Sequence, residues 1–537
     1  MMNVPLNISS MMERAEKYFP KKEVITRTPA GNKRHTYREI AQRTRRLSSA
    51  LQKLGVEQGD RVGTFAWNSN RHLEAYFGIP GIGAVLHTIN IRLAPEHISY
   101  IVNHAEDKVL LIDSDLLPLV ERVKDSFKTV QAYVVMNDGE LPETSLSPVY
   151  SYEELLAEGD PEFEFVKDID ENSPAGICYT SATTGNPKGV VYSHRGIFLH
   201  SMALGMVDTG GLSEADRCMA VVPMFHANAW GMPFIATWLG STQVMPGAQF
   251  TPKVLAELIE SEKITVTAGV PTIWLGLLKE LETGEYDTSS LRAVLCGGSA
   301  APPSMIKAFE VKYGIPFLHA YGMTETSPLV TVSRLKSYET DLPEEEKLSI
   351  RAKQGLVVPG LEVKIVGKDG EVKMDGEEMG ELLIRGPWIA SEYYNDERTK
   401  DAFYDGWLHT GDVATMDEEG VIKLVDRTKD LIKSGGEWIS SVDLENGIMA
   451  HEAVFEAAVI AIPHQEWQER PLACVVLHDQ FKDKVSKDDI MDFLRPQFAK
   501  WWLPDDVVFL DEIPKTSVGK FLKRALRDQL KEHYQIQ

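Results

Sequence analysis

The sequence has little cysteine. Cys178, Cys218, Cys296 and Cys474 are far apart and form no C-x-x-C pair, which excludes a zinc ribbon or a disulfide framework. Each sits in an apolar run, where a free thiol acts as a small hydrophobe, and that fits a reducing compartment. Long apolar runs are also missing. The most apolar stretch, residues 75–91, is interrupted by Gly78, Pro80, Gly81 and Gly83 and is too short to span a bilayer. Residues 1–20 scatter their charges and hold no apolar segment of the signal-peptide kind. Residues 534–537 match no targeting tail, so a cytoplasmic protein is the expectation. Basic charge is in deficit, with a formal net charge of −23. Such a chain gains nothing from counterion release at phosphates, so a nucleic acid is not an expected partner. A local basic site for a small anion stays compatible with it. No G-x-x-x-x-G-K-[ST] occurs, and no G-x-G-x-x-G on a strand-to-helix turn. A Walker-type phosphate loop and a dinucleotide fold of that kind are therefore excluded.

What is present is a long chain with an ordinary balance. Its 537 residues suffice for about three or four domain-sized units at about 150 residues each. There is no internal repeat and no low-complexity segment. Strand-like and helix-like runs alternate: 61–67 reads as a strand, 70–77 as a helix, 108–113 as a strand, 116–127 as a helix and 130–136 as a strand. The pattern returns with strands at 175–179 and 217–223, a helix at 254–264, and strands at 265–269 and 291–296. This alternation predicts two layered α/β subdomains, with parallel sheets covered by helices. After about residue 355, short alternating runs such as 362–366 and 381–385, punctuated by glycine, predict a small antiparallel or barrel-like subdomain. Beyond residue 425 comes a compact α+β tail with helices near 442–450, 487–494 and 521–533. The predicted boundary separates residues 1–425 from residues 426–537.

One segment concentrates phosphate-binding chemistry. Tyr179-Thr180-Ser181-Ala182-Thr183-Thr184-Gly185-Asn186-Pro187-Lys188-Gly189 follows a buried strand directly. Hydroxyls and backbone N–H groups can wrap phosphate oxygens, glycine allows close backbone approach, and lysine supplies a point charge. A polar surface turn is the plainer reading of such a composition. The order of residues decides against it, because this string resembles the phosphate motif of the adenylate-forming superfamily. That superfamily includes acyl-CoA synthetases, nonribosomal-peptide adenylation domains and beetle luciferases. Tyr321-Gly322-Met323-Thr324-Glu325-Thr326 resembles its aromatic-Gly-x-Thr-Glu motif, and Gly406-Trp407-Leu408-His409-Thr410-Gly411-Asp412 its ribose motif. Asp426-Arg427-Thr428-Lys429-Asp430 resembles its hinge, and Pro514-Lys515-Thr516-Ser517-Val518-Gly519-Lys520 its terminal lysine motif. The five motifs stand in the family's order and span nearly the whole chain.

The resemblance implies roles for these residues. Thr180, Ser181, Thr183, Thr184, Gly185 and Lys188 would hold the β- and γ-phosphates of ATP. Thr180 and Glu325 would lie beside a Mg²⁺ ion, a hard cation that needs only one or two protein oxygens when phosphates and water supply the rest. Gly298, Ser299 and Ala300, with His319, Ala320, Tyr321, Gly322 and Thr324, would wall the adenine, and Tyr321 could stack on it. Asp412 could accept both ribose hydroxyls, and Arg427 would contact ribose or phosphate. Lys520 would place its ammonium between the substrate carboxylate and the α-phosphate, where charge builds during attack. The carboxylate is already ionised at pH 7, so this step needs no general base. The resemblance further implies that residues 426–537 form a mobile lid turning about Asp426. Lys520 would then leave, and Lys433, Gly435, Gly436, Glu437 and Trp438 would line a channel for CoA.

The acid is read from Val222-Pro223-Met224-Phe225-His226-Ala227-Asn228-Ala229-Trp230-Gly231, which resembles the acyl-site segment of medium- and long-chain fatty acyl-CoA synthetases, with His226 placed beside the substrate carboxyl group. It offers no carboxylate for a substrate ammonium, whose burial without a partner would be costly. Trp230, Met232, Phe234 and Met323 would form an apolar acyl pocket, although Met232 and Phe234 serve core packing equally well. The function expected is an ATP-dependent acyl-CoA ligase for a fatty or shorter aliphatic acid, methylthio-propionate among them. An acyl-AMP ligase loading a carrier protein, a luciferase-like oxygenase and a non-catalytic nucleotide-binding scaffold are the rivals. The sequence is also compatible with a homodimer.

Overall fold

The computed structural model describes residues 1–180, 185–248, 250–435, 437–516 and 519–531. Two large sheets form the body. The first is seven-stranded, and all its neighbours pair in parallel except the edge strand Gly189–Ser193. The second is nine-stranded and parallel through its middle, from Glu23–Thr28 to Phe317–Gly322, with antiparallel strands at both edges. Parallel strands covered on both faces must be apolar throughout. The strand Asp107–Asp113, with Val109, Leu110, Leu111 and Ile112 all buried, shows this.

Helices fill the space between the sheets. Asn70–Gly78 and Met232–Leu239 meet there through Tyr76 and Phe77, whose rings lie 5.2 and 5.6 Å from that of Phe234. The helix Tyr37–Lys53 begins at a reciprocal cap: Glu39 N donates to Thr36 Oγ1, and Thr36 N to Glu39 Oε2. That satisfies two donors the first turn would otherwise leave open.

The sequence reading holds for element type and shifts at the boundaries. The expected helix 116–127 is a short α-helix, Leu117–Val123, between single 3₁₀ turns. The helix expected at 254–264 starts earlier, at Pro252, because Thr251 caps it. The strand expected at 217–223 stops at Ala220, and the chain leaves the sheet there. A hairpin that pattern reading did not mark, Glu23–Thr28 with Gly31–Thr36, adds two strands to the far edge of the nine-stranded sheet.

The glycine-punctuated region forms a six-stranded antiparallel sheet, with register shifts on both sides of the long strand Trp407–Met416. The C-terminal part carries a five-stranded sheet with helices Ser441–Met449, Lys487–Leu494 and Lys523–Leu530. Residues 532 and 533 of the helix expected at 521–533 lie outside the described residues. All four cysteines are free and buried. Among the described residues, no helix is long and apolar enough to cross a membrane.

Candidate active site

Parallel sheets bind ligands at the carboxyl ends of their strands. The strands Arg217–Ala220, Val266–Gly269, Ala293–Cys296 and Phe317–Gly322 run parallel, and the segments leaving their carboxyl ends line one cavity of about 650 Å³. Thr180 and Lys188 reach it from the other large sheet, Asp412 and Arg427 from paired strands of the small sheet, and Lys520 from the C-terminal part. In this acidic chain, lysine and arginine outnumber carboxylates around the cavity by eight to five. The basic site for an anion is therefore local.

Three of the expected motifs meet through direct bonds at Asp412, and the phosphate segment is closed on itself. Thr180 N donates to Lys188 O at 2.9 Å, and Lys188 N to Thr180 Oγ1 at 3.1 Å, which ties the ends of the phosphate segment together. Asp412 is 4 % exposed. Its Oδ2 accepts the Tyr321 hydroxyl at 2.6 Å, and its Oδ1 lies 3.1 Å from Arg427 Nε. Glu325 is 5 % exposed; its Oε1 accepts the Tyr393 hydroxyl at 2.7 Å. No hydrogen bond from a described residue reaches its Oε2.

Glycines give the wall its shape. A Cβ on Gly322 would stand 1.9 Å from Pro328 O, and one on Gly297 would stand 2.9 Å from Ala320 O and 3.3 Å from the Trp230 ring. On Gly298 it would meet Lys520 Cε at 3.4 Å and Trp230 Cζ2 at 3.9 Å. The indole and the lysine stem thus lie side by side on a strip of bare backbone. Burial, with the Arg427 charge adding, lowers the Lys520 ammonium to about 8, against the opposing pull of Asp412 and Glu325. Burial, helped by Lys520, lowers His226 to about 3, so its imidazole is neutral.

Trp230 is aimed by an unusual turn. Ala227, Asn228, Ala229 and Trp230 all have positive φ, between 43° and 57°. A left-handed residue with a side chain costs about 1–2 kcal/mol, so such a run persists only where its surroundings hold it. Asn68 donates to Ala220 O and Val222 O and accepts Met224 N, fixing the approach. The Cys178 thiol donates to Asn228 Oδ1 at 3.5 Å.

Other expectations shift. His319 lines the cavity, but Nδ1 contacts Ala352 O at 3.0 Å and Nε2 accepts Ala301 N at 3.3 Å. With both nitrogens engaged, it braces the cavity wall. Gly298, Ser299, Ala300, Ala320, Gly322, Met323 and Thr324 all line the cavity, as do Trp230 and Met232. Phe234 does not. It is 2 % exposed in the aromatic cluster between the sheets, because helical periodicity turns it away from Met232. Gly185, with φ 73°, stands just outside the lining, next to Asn186. Lys433, Gly435, Glu437 and Trp438 lie away from the cavity on the C-terminal sheet, with Trp438 39 % exposed. Ser181, Thr183, Thr184 and Gly436 lie outside the described residues. Asp426 belongs to the strand Ile422–Arg427, and its Oδ2 accepts the Ser441 N–H at 2.8 Å and the Ser441 hydroxyl.

The motifs did not point to Tyr393, Arg398, Leu204, Leu212 or Leu295, all but the first of which line the cavity. The leucines belong to ordinary apolar runs, and only tertiary packing turns them inward.

The AMP-binding enzyme family model matches residues 12–394, and that of the AMP-binding enzyme C-terminal domain matches residues 443–520. A long-chain-fatty-acid–CoA ligase of Thermus thermophilus is 51% identical, covering 99% of this chain and 97% of its own. A 3-methylmercaptopropionyl-CoA ligase of Ruegeria lacuscaerulensis is 44% identical over 99% and 98%. Among solved structures, an anthranilate CoA ligase in complex with anthranoyl-AMP aligns with a TM-score of 0.88 at 26% identity, over 99% and 98% of the two chains.

Proposed function

The chain belongs to the AMP-binding enzyme family and is an AMP-forming acid–thiol ligase that uses ATP and CoA and works through an acyl-adenylate, and from that premise we propose that its acid is aliphatic, with Lys188, His226, Asp412 and Lys520 at the centre of its machinery. The observation that carries this reading is the place of Lys520. Its stem shares Gly298 with Trp230, in a cavity that the apolar Leu204, Leu212, Met232 and Leu295 line together with the charged groups. The segment 222–231 that leads into it holds no carboxylate for a substrate ammonium, which disfavours an amino acid. The Thermus and Ruegeria relatives act on a long-chain fatty acid and on 3-methylmercaptopropionate, both aliphatic. A carrier-protein acceptor or an inert scaffold is not favoured.

In the first step the carboxylate attacks the α-phosphate and pyrophosphate leaves. Lys188 faces the outer phosphates. Asp412, though bonded to Tyr321 and Arg427, keeps lone pairs for the ribose hydroxyls, since an ionised carboxylate accepts about four hydrogen bonds. Lys520 offsets the charge on both reacting anions. Neutral His226 can hydrogen-bond the carboxyl group without adding charge. Mg²⁺ fits this site as an ion carried mostly by phosphate oxygens. No group of three or more His, Cys, Asp or Glu side chains able to cage a metal occurs among the described residues, while Glu325, with Thr180, can supply one or two oxygens. When bound, the ion would neutralise phosphate charge.

In the second step the CoA thiol attacks the acyl carbonyl and AMP leaves. We assign residues 1–425 to substrate binding and residues 426–537 to a lid that turns about Asp426. The absence of Lys433, Gly435, Glu437 and Trp438 from the cavity lining in the present orientation supports this. Asp426→Pro leaving both half-reactions at parental rates would overturn the lid. A cytoplasmic location and a homodimer are further expectations, the second of them read by light scattering. The deciding experiment supplies ATP, Mg²⁺, CoA and acids from acetate to C18, with 3-methylmercaptopropionate and benzoate. Thioester from aliphatic acids is expected; thioester from benzoate alone would refute the aliphatic reading.

A further inference from the structure

Between Lys188 and Glu325 stands a side chain that neither motif contains. Lys188 Nζ donates to Tyr393 Oη at 2.8 Å, and that hydroxyl donates to Glu325 Oε1 at 2.7 Å. The ring is 4 % exposed and meets the edge of Phe403 at 5.1 Å. Its backbone is anchored to the phosphate segment. Tyr393 bridges Val190, Tyr394 N donates to Gly189 O at 2.8 Å, and Arg398 Nη1 donates to Asn186 O at 3.1 Å. Residues 393–398 therefore lie along residues 186–190, and the hydroxyl is held from its own side.

We propose that Tyr393 is a positioning residue that keeps Lys188 and Glu325 apart and aimed, the ammonium at phosphate oxygens and the carboxylate at a cation those phosphates carry. The proposal rests on the placement of Lys188 and Glu325 at the ATP phosphates. An ammonium and a carboxylate free to touch would pair, and each would be withdrawn from the ligand. A hydroxyl can accept from one and donate to the other at the same time, which neither an amide N–H nor a carbonyl alone can do. The rigid ring sets the spacing.

Tyr393→Phe keeps the ring and removes the relay. Three quantities decide the matter: acid-dependent ATP–pyrophosphate exchange, thioester formation from supplied acyl-adenylate, and calorimetric ATP affinity in Mg²⁺ and in EDTA. Losing hydrogen bonds to charged groups corresponds to about tenfold to a hundredfold in exchange. The gain in ATP affinity that Mg²⁺ brings should shrink, while thioester formation stays within about twofold. Preserved thioester formation also shows that the variant is folded. Lys188→Gln and Glu325→Gln serve as references. If both lose exchange and Tyr393→Phe does not, the proposal falls and the phosphate site stands. If neither reference loses exchange, both fall. Equal losses in both half-reactions of Tyr393→Phe would show a structural role and overturn the proposal.

Discussion

Replacing Lys520 by glutamine keeps the reach of the side chain nearly intact and removes its charge. The ammonium lies in a partly closed cavity, beside Trp230 and over Gly298, where a positioned charge acts more strongly than in water. Removing one preorganised donor from a developing anion typically costs about 10²–10³ in rate, or about 2.7–4 kcal/mol. Lys520→Gln should therefore slow ATP–pyrophosphate exchange by that factor. Thioester formation from supplied acyl-adenylate should stay close to parental, given the proposed lid motion that carries Lys520 away before that step. The pH dependence supplies a second reading. The protonated amine is the working form, and burial lowers it to about 8. Exchange at limiting ATP should hold below that pH and fall above it, about tenfold per unit, whereas an unperturbed lysine would hold to about 10.4. Bound phosphates favour the ammonium, so ATP binding near pH 8.5 should take up protons. Calorimetry in two buffers of different ionisation enthalpy would show this, and Lys520→Gln should abolish it. Equal losses in both half-reactions, together with no proton uptake in the parental enzyme, would refute the reasoning.

Asp412→Asn should raise the KM for ATP by about tenfold to a hundredfold, since it weakens charge-assisted contacts to Arg427 and ribose; steady-state kinetics at saturating acid would check it. Leu212→Ala should move the optimum toward longer acids, since each newly accommodated CH₂ is worth about 0.8 kcal/mol, or about fourfold in kcat/KM. Phe234→Ala should do the opposite in kind, costing about 3–5 kcal/mol of stability by denaturant titration with the chain-length profile unchanged. Ser441→Ala removes both side-chain partners of a buried link, the bonds to Asp426 Oδ2 and Lys523 Nζ. It should loosen the first-step orientation, lowering exchange more than thioester formation by about threefold to tenfold.

Much of this molecule was legible in its sequence, because its chemistry is written in short contiguous segments. Phosphate-binding loops, glycine strips and a terminal lysine are local patterns, and parallel strands announce themselves as apolar runs between helices. Gly298, Asp412 and Lys520, which line one cavity, could be named in that way, with the sheets that carry them. Phe234 could not be separated from Met232, since two apolar residues two apart on a helix look alike until the helix is docked. The cavity-lining leucines and Tyr393 carry no local signature either.

The sequence by itself determined the class of fold, the order of domains and the nucleotide chemistry, since backbone patterning and motif spacing are properties of nearby residues. Tertiary structure decided the rest. It sent the strand Glu23–Thr28 to pair with Thr242–Met245, joining the N-terminus to the second sheet, where a parallel edge takes up its backbone groups. It wound residues 227–230 left-handed against their intrinsic preference and set Trp230 on Gly297 and Gly298. It also placed one phenol between a lysine and a glutamate from different motifs. Such placements depend on surfaces far apart in the chain.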